Sequence, residues 1–180
     1  AAADADAHVG ARVVARRVDA AGDVAVAHQA RAGARQQLLV AAARMRPERR
    51  VLVSKDTVAY FEGLQEFRVA EIDGQVVGCG ALHVMWDDLA EIRTLAVSQE
   101  HLGHGVGGAL LETLAQDAVE LGVERLFCLT FEVDFFTRHG FSEIEGQAVD
   151  PEVYVELLRS YDEGVAEFLD LERVKPNTLG

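Results

Sequence analysis

Cysteine is scarce: the 180 residues hold only Cys79 and Cys128. Both lie inside apolar runs, without the paired spacing of a disulfide framework or a metal site, so inert buried thiols are expected. Long hydrophobic runs are missing too. No stretch approaches the ~20 apolar residues of a transmembrane helix. The Ala-rich start lacks the basic n-region and unbroken apolar h-region of a signal peptide. These absences point to a cytoplasmic protein with no membrane partner. Positive charge is short in the body of the chain. Residues 51–180 carry eight Lys or Arg against twenty-five acids, a balance of −17, and residues 1–50 carry nine Arg against five acids, a balance of +4. A nucleic-acid binder would show the opposite distribution, so no nucleic-acid partner is expected. The six histidines (His8, His28, His83, His101, His104, His139) show no ligand spacing, so no metal is expected. No repeat of 20–50 residues is visible.

What remains is ordinary soluble composition, 49% apolar and 26% charged, at a length that fits one domain over 1–180. Residues 1–48 are atypical, with 17 Ala in the first 45 positions. They read either as a strand over Arg12–Val18 and a helix over Ala25–Met45, or as a low-complexity lead-in. Ser54 suits the N-cap of a short helix with Val58, Phe61 and Leu64 on its apolar face. Two β-prone runs, 67–72 and 76–85, flank Asp73-Gly74, a hairpin signal. After a turn at Asp87-Asp88, Glu91–Val97 returns as a strand. A helix over Val106–Leu121 buries Leu110, Leu111, Leu114 and Ala118 and stops at Gly122. Leu126–Thr130 reads as a buried strand, and Phe135-Phe136 opens a short helix ending at Gly140. Phe141–Ile144 re-enters the sheet, and Pro151 suits the first turn of a helix over Glu152–Tyr161. Val165–Leu171 is a candidate last strand before a turn at Lys175-Pro176-Asn177. The expected class is a mixed α/β (α+β) domain.

The informative segment is AEIRTLAVSQEHLGHGVGG, residues 90–108. A strand leads into Gly103-His104-Gly105-Val106-Gly107-Gly108, and a helix follows at once. Glycines let a backbone approach a ligand closely, and the first amides of a helix are unsatisfied donors at the positive end of its dipole, which suits phosphate. No Lys follows the loop, so a P-loop does not fit. The turn follows an antiparallel meander, so a dinucleotide fold does not fit either.

In this segment the sequence resembles the GNAT superfamily of N-acetyltransferases. Gly105-Val106-Gly107 fall on the Gly-x-Gly/Ala of their acetyl-CoA loop, and Leu102 falls on its Gln/Arg, a departure. Phe135-Phe136-Thr137-Arg138-His139-Gly140-Phe141 looks like the family's closing aromatic segment. A narrower resemblance, through GCGALHVMWDDLAEIRTLAV, LTFEVDFFTRHGFSEIEG and SYDEGVAEFLDLERVKPNTLG, is to the short bacterial N-acetylglutamate synthases, amino-acid N-acetyltransferases of the first step of arginine biosynthesis. In that group one clean strand and helix are expected over 1–48 and a further polar–aliphatic strand after Gly180.

The resemblance implies a GNAT-like central mixed, mainly antiparallel sheet flanked by helices. It also implies acetyl-CoA as cosubstrate, no metal, and a small-molecule amino acid as substrate; a homodimer stays open. Backbone amides around Leu95, Ala96 and Val97 would hold the thioester and pantetheine, and Gly103, His104, Gly105, Val106, Gly107 and Gly108 the phosphates. Glu91 stands at the family's catalytic Glu and would be the general base, through water; a solvent-facing acid at a strand start is the competing reading. Phe136 occupies the position of the family's Tyr acid, cannot donate a proton, and is left as a coenzyme contact. Tyr154 and Tyr161 would stand in for it by position alone, and packing explains them equally. Arg93 alternates with Glu91 and Leu95, so all three side chains should share one face. A guanidinium there suits a substrate carboxylate, or it pairs with Glu91 across one pleat. Lys175 and Asn177 look like a family motif for the other carboxylate. Arg138 reads as a phosphate contact or a surface Arg. The activity expected is N-acetylation of L-glutamate; the alternatives are glutamine, a polyamine or a protein N-terminus as acceptor, or a silent acyl-CoA sensor.

Overall fold

The computed structural model describes residues 12–17, 62–130, 132–144 and 149–160. The helices expected over Ala25–Met45 and after Ser54, the strand over Val165–Leu171 and the turn at Lys175–Asn177 lie outside these residues. Six strands form one sheet: β1 (Arg12–Arg17), β2 (Phe67–Ile72), β3 (Gln75–Val84), β4 (Leu89–Val97), β5 (Arg125–Thr130) and β6 (Ser142–Glu143), in the order β2-β3-β4-β5-β1-β6. β4 and β5 pair in parallel and the other neighbours are antiparallel. This is the mixed, mainly antiparallel sheet expected. The strand read at Arg12–Val18 forms, and it sits between β5 and β6, far from β2.

Local chemistry explains the connections. Asp73 (φ 52°) and Gly74 (φ 75°) make the β2–β3 hairpin turn, the twist-matched type favoured by Asp-Gly. Helix α1 (Val106–Glu120) ends where Gly122 turns left-handed (φ 80°). There Val123 N–H donates to Ala118 O and Gly122 N–H to Val119 O, which satisfies the last carbonyls.

α1 covers one face of the sheet. Leu111, Leu114, Ala115 and Ala118 pack on Leu82, Ala90, Ile92, Leu126 and Cys128, and Leu110 is fully buried against Gly78 of β3. Burying each leucine contributes roughly 1.5–3 kcal/mol. Arg68 of β2 clamps Asp117 of α1 with two bonds of 2.9 and 3.0 Å. Burial raises the Asp117 carboxyl above its ordinary range, and Arg68 pulls it back. Helix α2 (Val133–Arg138) seats Phe136 in the same core.

The opposite face carries two apolar clusters. One joins Phe67, Val69, Cys79, Ala81 and Ala96; the other joins Met85, Leu89, Phe127, Val149 and Leu157, the last from helix α3 (Pro151–Leu157). α3 is shorter than the Glu152–Tyr161 expected. Arg159 N–H bonds Glu156 O and Ser160 N–H bonds Leu157 O, a tightening to i→i−3 bonds that ends the helix.

Candidate functional site

The Gly-rich loop leaves β4 through a single 3₁₀ turn, Gln99–His101. Ser98 Oγ and His101 Nδ1 lie 2.7 Å apart, and His104 Nδ1 donates to Leu102 O at 3.0 Å, so both imidazoles bond within the loop. Gly105 caps α1 in the left-handed region (φ 82°), and no side chain caps the helix. The leading amides of α1, from Val106 to Gly108, lack intrahelical acceptors, and glycine is the residue that reaches this φ without strain. Phe135 and His139 of the α2 segment press on this first turn. A Cβ on Gly107 would meet the Phe135 ring at 3.4 Å, and one on Gly108 would lie 2.7 Å from His139 Nε2. His139 Nδ1 donates to Phe135 O at 2.8 Å, and the two rings sit 4.5 Å apart.

Upstream of the loop, β4 has an edge that is open among the described residues. Its pairing with β5 covers only Leu89–Arg125, Ala90–Leu126 and Glu91–Phe127. Ser98 N–H donates to Val77 O on β3. Backbone direction alternates along an antiparallel strand, so the N–H of Val97 points away from β3, toward the side from which β5 has diverged. From Glu91 to Val97 this edge runs roughly 20 Å, which suits an extended arm.

β4 also carries a bulge. Ala81 faces Arg93 and Cys79 faces Ala96, so Gly80 opposes both Thr94 and Leu95. Thr94 adopts φ 53°, uncommon for a β-branched residue. The extra residue flips the phase of everything after it. Leu95 therefore packs with the α1-side core and Ala96 with Cys79 and Ala81. The expectation that Leu95 shares a face with Glu91 and Arg93 is thus corrected. A Cβ at Gly80 would lie 2.9 Å from the Leu95 and Leu114 methyls, so the bulge rests on that glycine.

Glu91 and Arg93 stand on the other face, between its two apolar clusters, with 7% and 6% of their side chains exposed. Arg93 Nε donates to Glu91 Oε2 at 2.6 Å, and Arg93 Nη2 lies 3.8 Å from Met85 Sδ. Arg93 therefore pairs with Glu91 across one pleat, one of the two arrangements read for it. Glu91 is buried at the point where β4 and β5 part, which overturns the solvent-facing reading of this acid.

Residues 38–141, more than half of the chain, match the family model "Acetyltransferase (GNAT) family". The chain belongs to the GNAT acetyltransferase family. It is 57% identical over 134 residues to the amino-acid acetyltransferase of Mycobacterium tuberculosis, a match spanning 73% of this chain and 77% of that protein. A Mycobacterium tuberculosis structure in complex with CoA and NLQ superposes with TM-score 0.76 at 50% identity, over 87% of this chain and 95% of the other. N-acetylglutamate synthase from Neisseria gonorrhoeae, complexed with coenzyme A and N-acetyl-glutamate, gives TM-score 0.62 at 29% identity, over 78% of this chain and 33% of that one.

Within this GNAT acetyltransferase, Glu91, Arg93 and the loop line one strand and its exit, as expected. Lys175 and Asn177 fall outside the described residues. Phe136 is 3% exposed and meets Phe135 and Phe141 edge-on in the core; the ring against the loop is Phe135. Its spacing of four from His139 on a short helix was the available signal. Arg138 is exposed and Tyr154 packs on the α3-side cluster. A cavity of about 430 Å³ opens at the other end of β4, among Trp86, Asp87, Asp88, Glu124 and Arg125, away from the loop. There Asp88 accepts a 2.7 Å bond that raises the Arg125 guanidinium. Among the described residues no helix is long and apolar enough to cross a membrane, and no three metal-binding side chains cluster.

Burial pushes the Cys79 thiol up to about 12. Burial, and secondarily the Glu91 charge, holds Cys128 well above the ordinary thiol range. Thiolate is the reactive form, so the native protein is expected to leave an aromatic disulfide reagent unreacted at pH 8 and to titrate two thiols after denaturation. Rapid native labelling would contradict the burial.

Proposed function

We propose that this GNAT enzyme uses acetyl-CoA to N-acetylate L-glutamate, the first step of arginine biosynthesis, in a reducing, cytoplasmic compartment. One observation carries the reading: a buried carboxylate, Glu91, lies where β4 leaves β5, at one end of an open edge whose other end is the Gly-rich loop. In this reading the α1 amides take the coenzyme phosphates, with Gly103 to Gly108 as the cradle. The backbone of Leu95, Ala96 and Val97 receives the pantetheine and thioester carbonyl. An amide aimed at the developing oxyanion supplies about 3 kcal/mol. Glu91 accepts the ammonium proton, through water, before the amine attacks the thioester. Arg93 holds that carboxylate and, with Lys175 and Asn177, offers the positive and polar groups a dicarboxylate needs. No side-chain acid is assigned, and water protonates the departing thiolate.

The reading of an amino-acid acceptor rests on likeness to the Mycobacterium amino-acid acetyltransferase, and that of glutamate on likeness to the Neisseria N-acetylglutamate synthase. A silent acyl-CoA sensor is the second reading, favoured by Leu102, an exposed apolar side chain in the loop, and by Phe136, which cannot donate a proton. Thiol release from acetyl-CoA, measured across glutamate, glutamine, spermidine and an N-terminal peptide, tests both. Turnover with glutamate and none with spermidine is expected. Acetyl-CoA binding without turnover on any amine supports the sensor.

A further inference from the structure

Proton arithmetic sets a requirement on this site. An ammonium nitrogen carries three protons, and after acyl transfer the amide nitrogen keeps one. The thiolate released as the thioester C–S bond breaks takes a second. The third must reach bulk water in every turnover. A base with 7% of its side chain exposed is helped by a neighbour that can both take up and release a proton and that touches solvent.

We propose that His83 is that neighbour, a positioning and proton-transfer residue held in place by Glu66. His83 is the cross-strand partner of Glu91. Met85 N–H bonds Leu89 O in the same ladder, and the alternation makes His83 and Glu91 a directly opposed pair. Their side chains rise on one face with Cβ atoms about 5 Å apart. His83 keeps 21% of its side chain exposed, so it bridges the buried acid and the solvent. Its Nδ1 lies 2.8 Å from Glu66 Oε1. An ionised carboxylate only accepts, so Nδ1 carries the hydrogen. In the neutral ring Nε2 then keeps its lone pair and can accept a proton. The charged groups on the face of His83 are Glu66, from the 3₁₀ turn Leu64–Glu66 before β2, and Glu91 and Arg93 on β4, the Arg93 guanidinium reaching Met85 two residues along from His83. When the Glu91 carboxyl gives up the proton it took from the amine, Nε2 accepts it, the imidazolium forms between two carboxylates, and water removes the proton from Nε2. Glu91 returns to carboxylate and the Nδ1–H to Glu66 bond is unbroken.

The assignment rests on Glu91 as base, and one set of variants separates the two. Thiol release from acetyl-CoA with saturating glutamate is measured for His83→Ala, Glu66→Gln and Glu91→Gln in dilute buffer. His83→Ala is expected to lose at least tenfold in kcat with both KM values unchanged. Free imidazole should restore the rate in proportion to its concentration and leave the wild type unmoved. Glu66→Gln, which keeps the ring and the strand, should lose severalfold in kcat. A His83→Ala enzyme at wild-type kcat, a loss confined to KM, or a loss that imidazole does not recover overturns the role of His83. If Glu66→Gln stays at wild-type kcat, its share in the role falls. A Glu91→Gln enzyme at wild-type kcat overturns Glu91 as base, and His83 with it.

Discussion

Glu91→Gln is expected to lower kcat at neutral pH by about 100-fold, the scale of one positioned acid–base group. The amide has the shape of the acid and can still accept the Arg93 bond, so the fold should be kept. It cannot take a proton from the substrate ammonium. As pH rises toward the range where the free amine is populated, the deprotonation proposed for Glu91 becomes unnecessary, and the deficit should shrink. The measurement is the pH–rate profile of both enzymes with saturating acetyl-CoA. A deficit constant with pH would mean that Glu91 positions rather than deprotonates.

Arg93→Met should produce the largest fall in stability of any conservative change at the site. It leaves a carboxylate with 7% of its side chain exposed without its guanidinium. Removing one partner of a buried pair costs about 3–5 kcal/mol. At about 2–4 °C per kcal/mol for a chain of this size, a Tm drop of roughly 10 °C is expected by scanning calorimetry. Adding Glu91→Leu should recover much of that drop, because two apolar residues replace two desolvated charges. A single variant that melts with the wild type would show that Glu91 does not need the Arg93 charge. The same variant separates the second role given to Arg93. A raised KM for glutamate with intact coenzyme affinity supports a carboxylate contact, and weakened coenzyme affinity moves Arg93 elsewhere.

Most strands and α1 were legible because their signals are local. Asp73-Gly74 encodes a hairpin turn whatever surrounds it, and Gly122 ends α1 because a left-handed residue is needed there. The leucines of α1 mark its buried face by spacing alone. The Gly-rich turn between strand and helix was legible for the same reason. The bulge was not. Alternation placed Leu95 with Glu91 and Arg93, and only the pairing of Gly80 with two residues of β4 shows that the phase breaks at Thr94. Nothing in the run Arg93-Thr94-Leu95 signals it, since the cause is the space that Gly80 leaves on the neighbouring strand. The pairing of Arg93 with Glu91 had the same character: spacing allowed it, and only the folded structure shows it.

The sequence by itself determined the class of the fold, the Gly-rich turn that opens α1, and an acidic body in which few positive charges are available to meet an anion. Those follow from residue type, spacing and count, which do not depend on what the chain packs against. Tertiary structure alone decided that Glu91 is buried beside Arg93 at the parting of β4 and β5, that Phe135 rather than Phe136 meets the loop, and that His83 stands between Glu66 and Glu91. Each of these depends on which strand lies beside which and in what register, information spread over residues far apart in the chain.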